Sequence, residues 1–139
     1  MINTRILMML SAVMLGLFGF LSSFFSKELL VHLKITSNGA ADMLIQIMAA
    51  LYMGFAIMNW MQRQAIIGGI YARPLAMGNF SHFLIGTFAL GRILFEKPNL
   101  PGMWVLTSIY FLFALSFGVV MFFHPVKAEE KAKSEAMEK

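Results

Sequence analysis

The chain has 139 residues, a length for one domain, with 59% apolar residues, 13% charged residues and a net charge of +4. That apolar excess is gathered into four blocks, which argues against a soluble all-α protein, and the positive charge is spread over ends and loops, so it forms no nucleic-acid patch. With no cysteine in the chain, disulfides, thiolate metal sites, cysteine-held iron–sulfur clusters and thiol redox chemistry are excluded together.

The first block is Ile6–Phe25. Each of the four blocks is about 19–21 residues long, which at about 1.5 Å per residue crosses the roughly 30 Å hydrocarbon layer of a bilayer. This one exceeds the about 7–15 apolar residues of a signal peptide, and no A-x-A-like site follows it, so a retained span is expected. Its small residues Ala12, Gly16, Gly19, Ser23 and Ser26 have helical spacing and are expected to face a neighbouring helix. In Ser26–Asp42, Leu29, Leu30, Leu33 and Ile35 alternate with Lys27, Glu28, His32 and Lys34, the pattern of a short interfacial segment. Ser37 and Asn38 are the candidate N-caps of the second span, with Asp42 in its first turn.

The second span is Met43–Met61, with Gln46, Ala50 and Gly54 as its small or polar stripe. The loop Gln62–Arg73 holds a Gly68–Gly69 bend, and Arg73–Pro74 opens the third helix, because proline suits the first helical position. The third span, Leu75–Phe95, carries Gly78, His82 and Gly86 in one row with Asn79 alongside. Pro98, Asn99, Pro101 and Gly102 make Glu96–Gly102 a short turn, so spans three and four should be antiparallel neighbours. The fourth span, Met103–Phe123, has Thr107, Ala114 and Gly118 as its stripe and ends at His124–Pro125. The tail, residues 126–139, is charge-balanced, with Glu129–Lys133 and Glu135–Lys139 at the spacing of a solvated helix.

The expected fold is all-α: an integral membrane four-helix bundle over residues 1–125, with stripes inward and Phe, Leu, Ile and Met toward lipid. Arg5, Arg63, Arg73, Lys127, Lys131, Lys133 and Lys139 fall on one side of the membrane. Lys27, Lys34, Arg92 and Lys97 fall on the other, so both termini are expected in the cytoplasm. Trp60, Tyr71 and Trp104 lie near span ends, where interfacial aromatics belong. The 13 methionines suit irregular packing.

No catalytic set is present. Ser81 and His82 are adjacent, so their side chains point apart on a helix. No Asp or Glu lies deep in a span, and there is neither an HExxH spacing nor a phosphate-binding glycine loop. Haem would need two histidines at matching depth on different helices. His82 lies roughly 12 Å into its span by helical rise, while His124 is at a span end and His32 is on the opposite side. No metal or cofactor is expected. His82 reads either as a helix-locking hydrogen-bond partner of Gln46, Asn59 or a backbone carbonyl, or as a proton-relay or ligand contact. Arg63 and Arg73 read either as headgroup anchors or as a clamp for an anionic group. The ligand-binding candidates are therefore Arg63, Tyr71, Arg73, Asn79 and His82. Gln46, Asn59, Arg92 and Glu96 are structural polar candidates, the last two as an i,i+4 salt link that Asp42 can join.

The run YMGFAIMNWMQRQAIIGGIYARPLAMGNFSHFLIGTFAL, Tyr52–Leu90, resembles a family of small, uncharacterised bacterial four-span membrane proteins. The resemblance rests on Asn59–Trp60, Gly68–Tyr71, Arg73–Pro74, Gly78–Phe80 and His82–Phe83, and covers under a third of the chain. The architecture is loosely similar to DoxX-like proteins. The resemblance implies a multi-pass protein of the bacterial inner membrane and imports no activity. The expected function is non-enzymatic: an accessory or lipid/quinone-like ligand-binding bundle whose partners are membrane lipids, a homo-oligomer or a larger membrane complex. The alternatives are a small oligomeric transporter or channel with His82 lining the path, and a membrane redox subunit.

Overall fold

In lipid no water satisfies backbone N–H and C=O groups, so long apolar segments close their hydrogen bonds within one helix. The computed structural model describes residues 4–32, 36, 38–64, 73–96 and 101–123, and these form five α-helices and no strand. They are α1 (Thr4–Phe24), α2 (Ser26–His32), α3 (Gly39–Met61), α4 (Arg73–Glu96) and α5 (Pro101–Phe123). A 3₁₀ turn, Gln62–Gln64, extends α3. Each long helix starts before the apolar block that predicts it and ends within one residue of that block's end. The Gly68–Gly69 bend, the Pro98–Asn99 turn, Ser37, Tyr71, His124 and the tail lie outside the described residues.

Three of the described helical segments are long and apolar enough to cross a membrane: Thr4–Phe24, Gly39–Gln64 and Pro101–Phe122. The 24 residues of α4 suffice in length, but Asn79, Ser81, His82 and Arg92 dilute its apolar run. Of the four expected spans, three therefore meet the requirement of apolar length and composition.

The chain forms two units, one of α1, α2 and α3 and one of α4 and α5. In the first, α1 and α3 run antiparallel: Ser11 meets Asn59, Gly16 faces Ala56, and Gly19 faces Met53 and Ala49. The buried row on α1 is Met8, Ser11, Ala12, Leu15, Gly19 and Ser22, continued by Ser26 on α2. Ser22, not Ser23, is buried. The inward row of α3 is Ile45, Ala49, Ala56 and Asn59, whereas Gln46 and Ala50 are exposed and Gly54 faces open space. The expected Gln46–Ala50–Gly54 stripe is thus turned away. The contact is set by fit to Gly16 and Gly19, and Ala49 and Ala56 present the small surface there.

Only Phe25 separates α1 from α2, and backbone bonds from Phe25 N to Leu21 O (2.8 Å) and from Leu29 N to Phe25 O (2.9 Å) bridge it. α2 buries Leu30 and exposes Lys27, Glu28, Val31 and His32. Asn38 caps α3, its Oδ1 accepting from Ala41 N at 2.8 Å.

In the second unit, α4 packs on α5 through an aromatic seam. Phe83 and Phe117 are wholly buried, and Tyr110, Ala114 and Val120 are nearly so. The expectation that bulky residues face outward fails here. Gly86 and Gly118 leave room for rings: a Cβ at Gly86 would lie 2.6 Å from Tyr110, and one at Gly118 would lie 3.1 Å from Phe80. Small residues on one helix thus receive aromatic residues of the other.

Candidate functional site

Polar side chains inside apolar helices must find partners, and the two units solve this differently. In the first, Asn59 Nδ2 donates to Ser11 Oγ at 3.0 Å, and Ser11 Oγ donates to Met8 O at 3.0 Å. Both side chains are wholly buried. The relay ties α3 to α1 where the helices are held by small residues. Ser11 escapes the sequence reading because a lone serine in an apolar run has no local signal, and its partner is 48 residues away.

In the second unit four polar side chains donate back to their own helices. Asn79 Nδ2 donates to Leu75 O (2.9 Å), Thr87 Oγ1 to Phe83 O (2.7 Å), Thr107 Oγ1 to Met103 O (2.8 Å) and Ser108 Oγ to Trp104 O (2.8 Å). This back-bonding satisfies a hydroxyl or amide without a second helix. Asn79 is fully buried. His82, one turn further along, is half-buried, its ring 5.2 Å from Phe83 and 5.8 Å from Tyr110.

The α1–α3 hairpin also carries a groove of about 250 Å³, lined by Ala12, Val13, Ala56, Ile57, Trp60 and Met61. Small Ala12 and Ala56 form it, and Val13, Ile57, Trp60 and Met61 line it with large apolar surface. At its α3 end stands Arg63. Its guanidinium carbon lies 4.4 Å from the centre of the Trp60 ring, and Nη1 donates to Trp60 O at 2.6 Å. Arginine over an indole face is an attractive cation–π pair, and the remaining N–H groups of the fork can bind an anion.

The candidates thus distribute unevenly. Arg63 belongs to the first unit. Arg73, Asn79 and His82 share α4, with Arg73 exposed at its start. Tyr71 lies outside the described residues. Among the structural candidates, Asn59 pairs with Ser11, Gln46 is exposed, and Arg92 Nε lies 3.4 Å from Glu96 Oε1 with both side chains mostly exposed. A link so exposed contributes little. Among the described residues Asp42 Oδ1 is buried without a hydrogen-bond partner. No described group of three or more His, Asp or Glu residues has metal-site geometry.

The Asn59–Ser11 bond gives a direct test of what holds the first unit. Asn59→Leu and Ser11→Ala are each expected to weaken α1–α3 association, with a coupling energy of about 0.6–1.7 kcal/mol in a double-mutant cycle. Detergent-titration unfolding measures it, and a cycle that closes at zero overturns the pairing.

No protein-family model, curated protein or solved structure matches this chain.

Proposed function

We propose that the chain is a small, non-enzymatic protein of a bacterial inner membrane, with α4 as a fourth span and both termini in the cytoplasm. It acts as an accessory protein that holds an amphiphile, a lipid or a quinone-like molecule. The observation that carries this reading is the wholly apolar groove of α1 and α3 ending at an arginine stacked on a tryptophan. An apolar channel with a cation at one end suits a molecule that has a tail and a polar head. Asn79 supports the same choice from the other side, since its amide is buried and committed to Leu75 O. The proposed head contact therefore centres on Arg63 rather than on Asn79. The channel alternative asks His82 to line a path, but its packing against the buried Tyr110 ring favours a role in the α4–α5 seam.

Four spans are supported by the length of α4, about 36 Å of helical rise, and by the resemblance of Tyr52–Leu90 to a four-span family. The absence of cysteine makes this testable: single cysteines at Gln64 and Glu96 are expected to label from opposite faces of the membrane. Labelling from one face overturns α4 as a span. For the ligand, native mass spectrometry of the detergent-extracted protein is expected to show a co-purified lipid or quinone mass, reduced in Arg63→Ala. A ligand-free extract overturns the binding reading.

A further inference from the structure

A helix apolar enough to cross a bilayer by its own composition needs no neighbour to hold it there; a more polar one depends on packing. We infer that α4 is a conditional span, crossing the membrane only while it is docked on α5; this rests on the four-span reading above.

Three observations carry the step. The first is composition. α1, the Gly39–Gln64 segment and α5 are apolar enough to span, and α4, although 24 residues long, is not among them. Asn79, Ser81 and His82 stand roughly 9–14 Å into it by helical rise, where polar groups are costly in lipid. Arg92 lies near the other end with its side chain exposed, so it can reach the interface. The second observation is facing. Asn79, Phe83 and Gly86 share one side of α4, and that side meets α5. Phe83 stacks on Phe113 and Phe117, the His82 ring lies 5.8 Å from Tyr110, and the Tyr110 ring fills the space over Gly86. Asn79 and Phe83 are wholly buried, whereas Met77, Ile85 and Phe88, on the opposite side, are exposed. The third is fit. The docking depends on two glycines, since a Cβ at Gly86 would lie 2.6 Å from Tyr110 and one at Gly118 would lie 3.1 Å from Phe80.

Together these make docking the deciding term. If the two helices separate, α5 stays in the bilayer by its own composition. α4 would then turn Asn79 and His82 to lipid. Asn79 keeps its bond to Leu75 O, but an amide has further donor and acceptor capacity that hydrocarbon cannot meet. The apolar residues of α4 draw it into lipid and these polar groups draw it toward water. α4 therefore has two discrete positions, beside α5 in the bilayer or at the cytoplasmic surface, and loosening the seam selects the second.

The test sets composition against docking. Gly86→Leu makes α4 more apolar and at the same time destroys its fit to Tyr110. If composition decides, α4 spans more firmly; if docking decides, it leaves the bilayer. The readout is a single cysteine in the full chain, Glu96→Cys, labelled in the membrane by an impermeant maleimide, with Gln64→Cys marking the cytoplasmic face. In the otherwise unaltered chain Glu96→Cys is expected to label from the face opposite Gln64→Cys. In Gly86→Leu that outward labelling is expected to be lost and replaced by labelling from the Gln64 face. Gly118→Leu, which leaves the sequence of α4 untouched, is expected to do the same. Gly91→Leu adds the same side chain where a Cβ meets nothing within 4 Å, and should leave outward labelling as it is. His82→Leu added to Gly86→Leu is expected to restore outward labelling, which a chain that has merely misfolded would not do. Outward labelling retained in either Gly86→Leu or Gly118→Leu, lost also in Gly91→Leu, or not restored by His82→Leu overturns the inference and leaves four spans in place. Labelling of Glu96→Cys and Gln64→Cys from one face in the otherwise unaltered chain removes the four-span reading and the inference together.

Discussion

Phe83→Ala is expected to destabilise the α4–α5 unit by about 3 kcal/mol, the largest effect of any single truncation in that unit. Phe83 is wholly buried, and its ring meets four others. It stacks on Phe113 at 4.9 Å and on Phe117 at 5.8 Å, and meets His82 at 5.2 Å and Tyr110 at 5.3 Å edge-on. Truncation leaves a cavity under all of them. In water-soluble proteins that costs about 3–5 kcal/mol, part of it the transfer of apolar surface from water. In a bilayer the separated helices stay in hydrocarbon, so the transfer part shrinks, while the lost packing and the cavity remain. The lower end of the range is therefore expected. Cysteine pairs on α4 and α5, introduced into a chain with none of its own, provide fluorescence labels for detergent unfolding. Phe88, 71% exposed, is the control: Phe88→Ala removes the same atoms from an exposed position and should cost well under half as much. Equal losses at both positions refute the aromatic seam as the basis of the unit.

The contrast between Phe83 and Phe88 also marks the limit of sequence reading. Both are phenylalanines in one apolar run, and no composition rule separates them. Helix positions are legible because apolar length is a local property, and so are caps: Asn38 marks the start of α3 and Arg73–Pro74 that of α4 by their own chemistry. Facing is harder. In a soluble helix, polar residues label the outer side. In lipid both sides are apolar, and the inward face is decided by fit to a partner helix. Small-residue stripes therefore mislead by one position. Ser22 is buried where Ser23 was expected, and Ile45–Ala49–Ala56–Asn59 is the inward row where Gln46–Ala50–Gly54 was expected. A shift of one residue turns a helix by about 100°, which exchanges buried and exposed faces.

The candidate site divides along the same line. Arg63 and Trp60 are three residues apart, so their stacking follows from helical spacing and was within reach of the sequence. The groove beside them was not, because it is a gap between Ala12 and Ala56 on different helices. Asn59 could be singled out as a costly polar group, but Ser11 as its partner needs the antiparallel register of α1 and α3. His82 stands out in the sequence as a polar group inside an apolar span. In the structure it takes its place in a ring cluster.

Gly19→Ala is expected to cost about 2–3 kcal/mol in the α1–α3 unit, more than the same change at any other described glycine of that hairpin. An added Cβ would lie 2.8 Å from Met53 Cγ, 3.0 Å from Ala49 O and 3.0 Å from Met53 N. The methionine side chain can swing aside. The two backbone atoms cannot, so α1 and α3 must separate. Overpacking of this kind costs about 1–3 kcal/mol, and rigid backbone on one side places Gly19 in the upper part of that range. The neighbouring glycines set the scale. Gly16 meets Ala56 Cβ at an ordinary 3.6 Å, and Gly54 faces open space, so Gly16→Ala and Gly54→Ala should be neutral or slightly stabilising. The separation has a second consequence. Asn59 and Ser11 lie two turns away along the same seam and are bonded at 3.0 Å, a distance that a widened hairpin stretches. Gly19→Ala and Asn59→Leu should therefore be non-additive, the double variant losing less than the sum of the two singles. Additive losses refute a single seam, and would mean that the glycine contact and the asparagine bond hold the two helices independently.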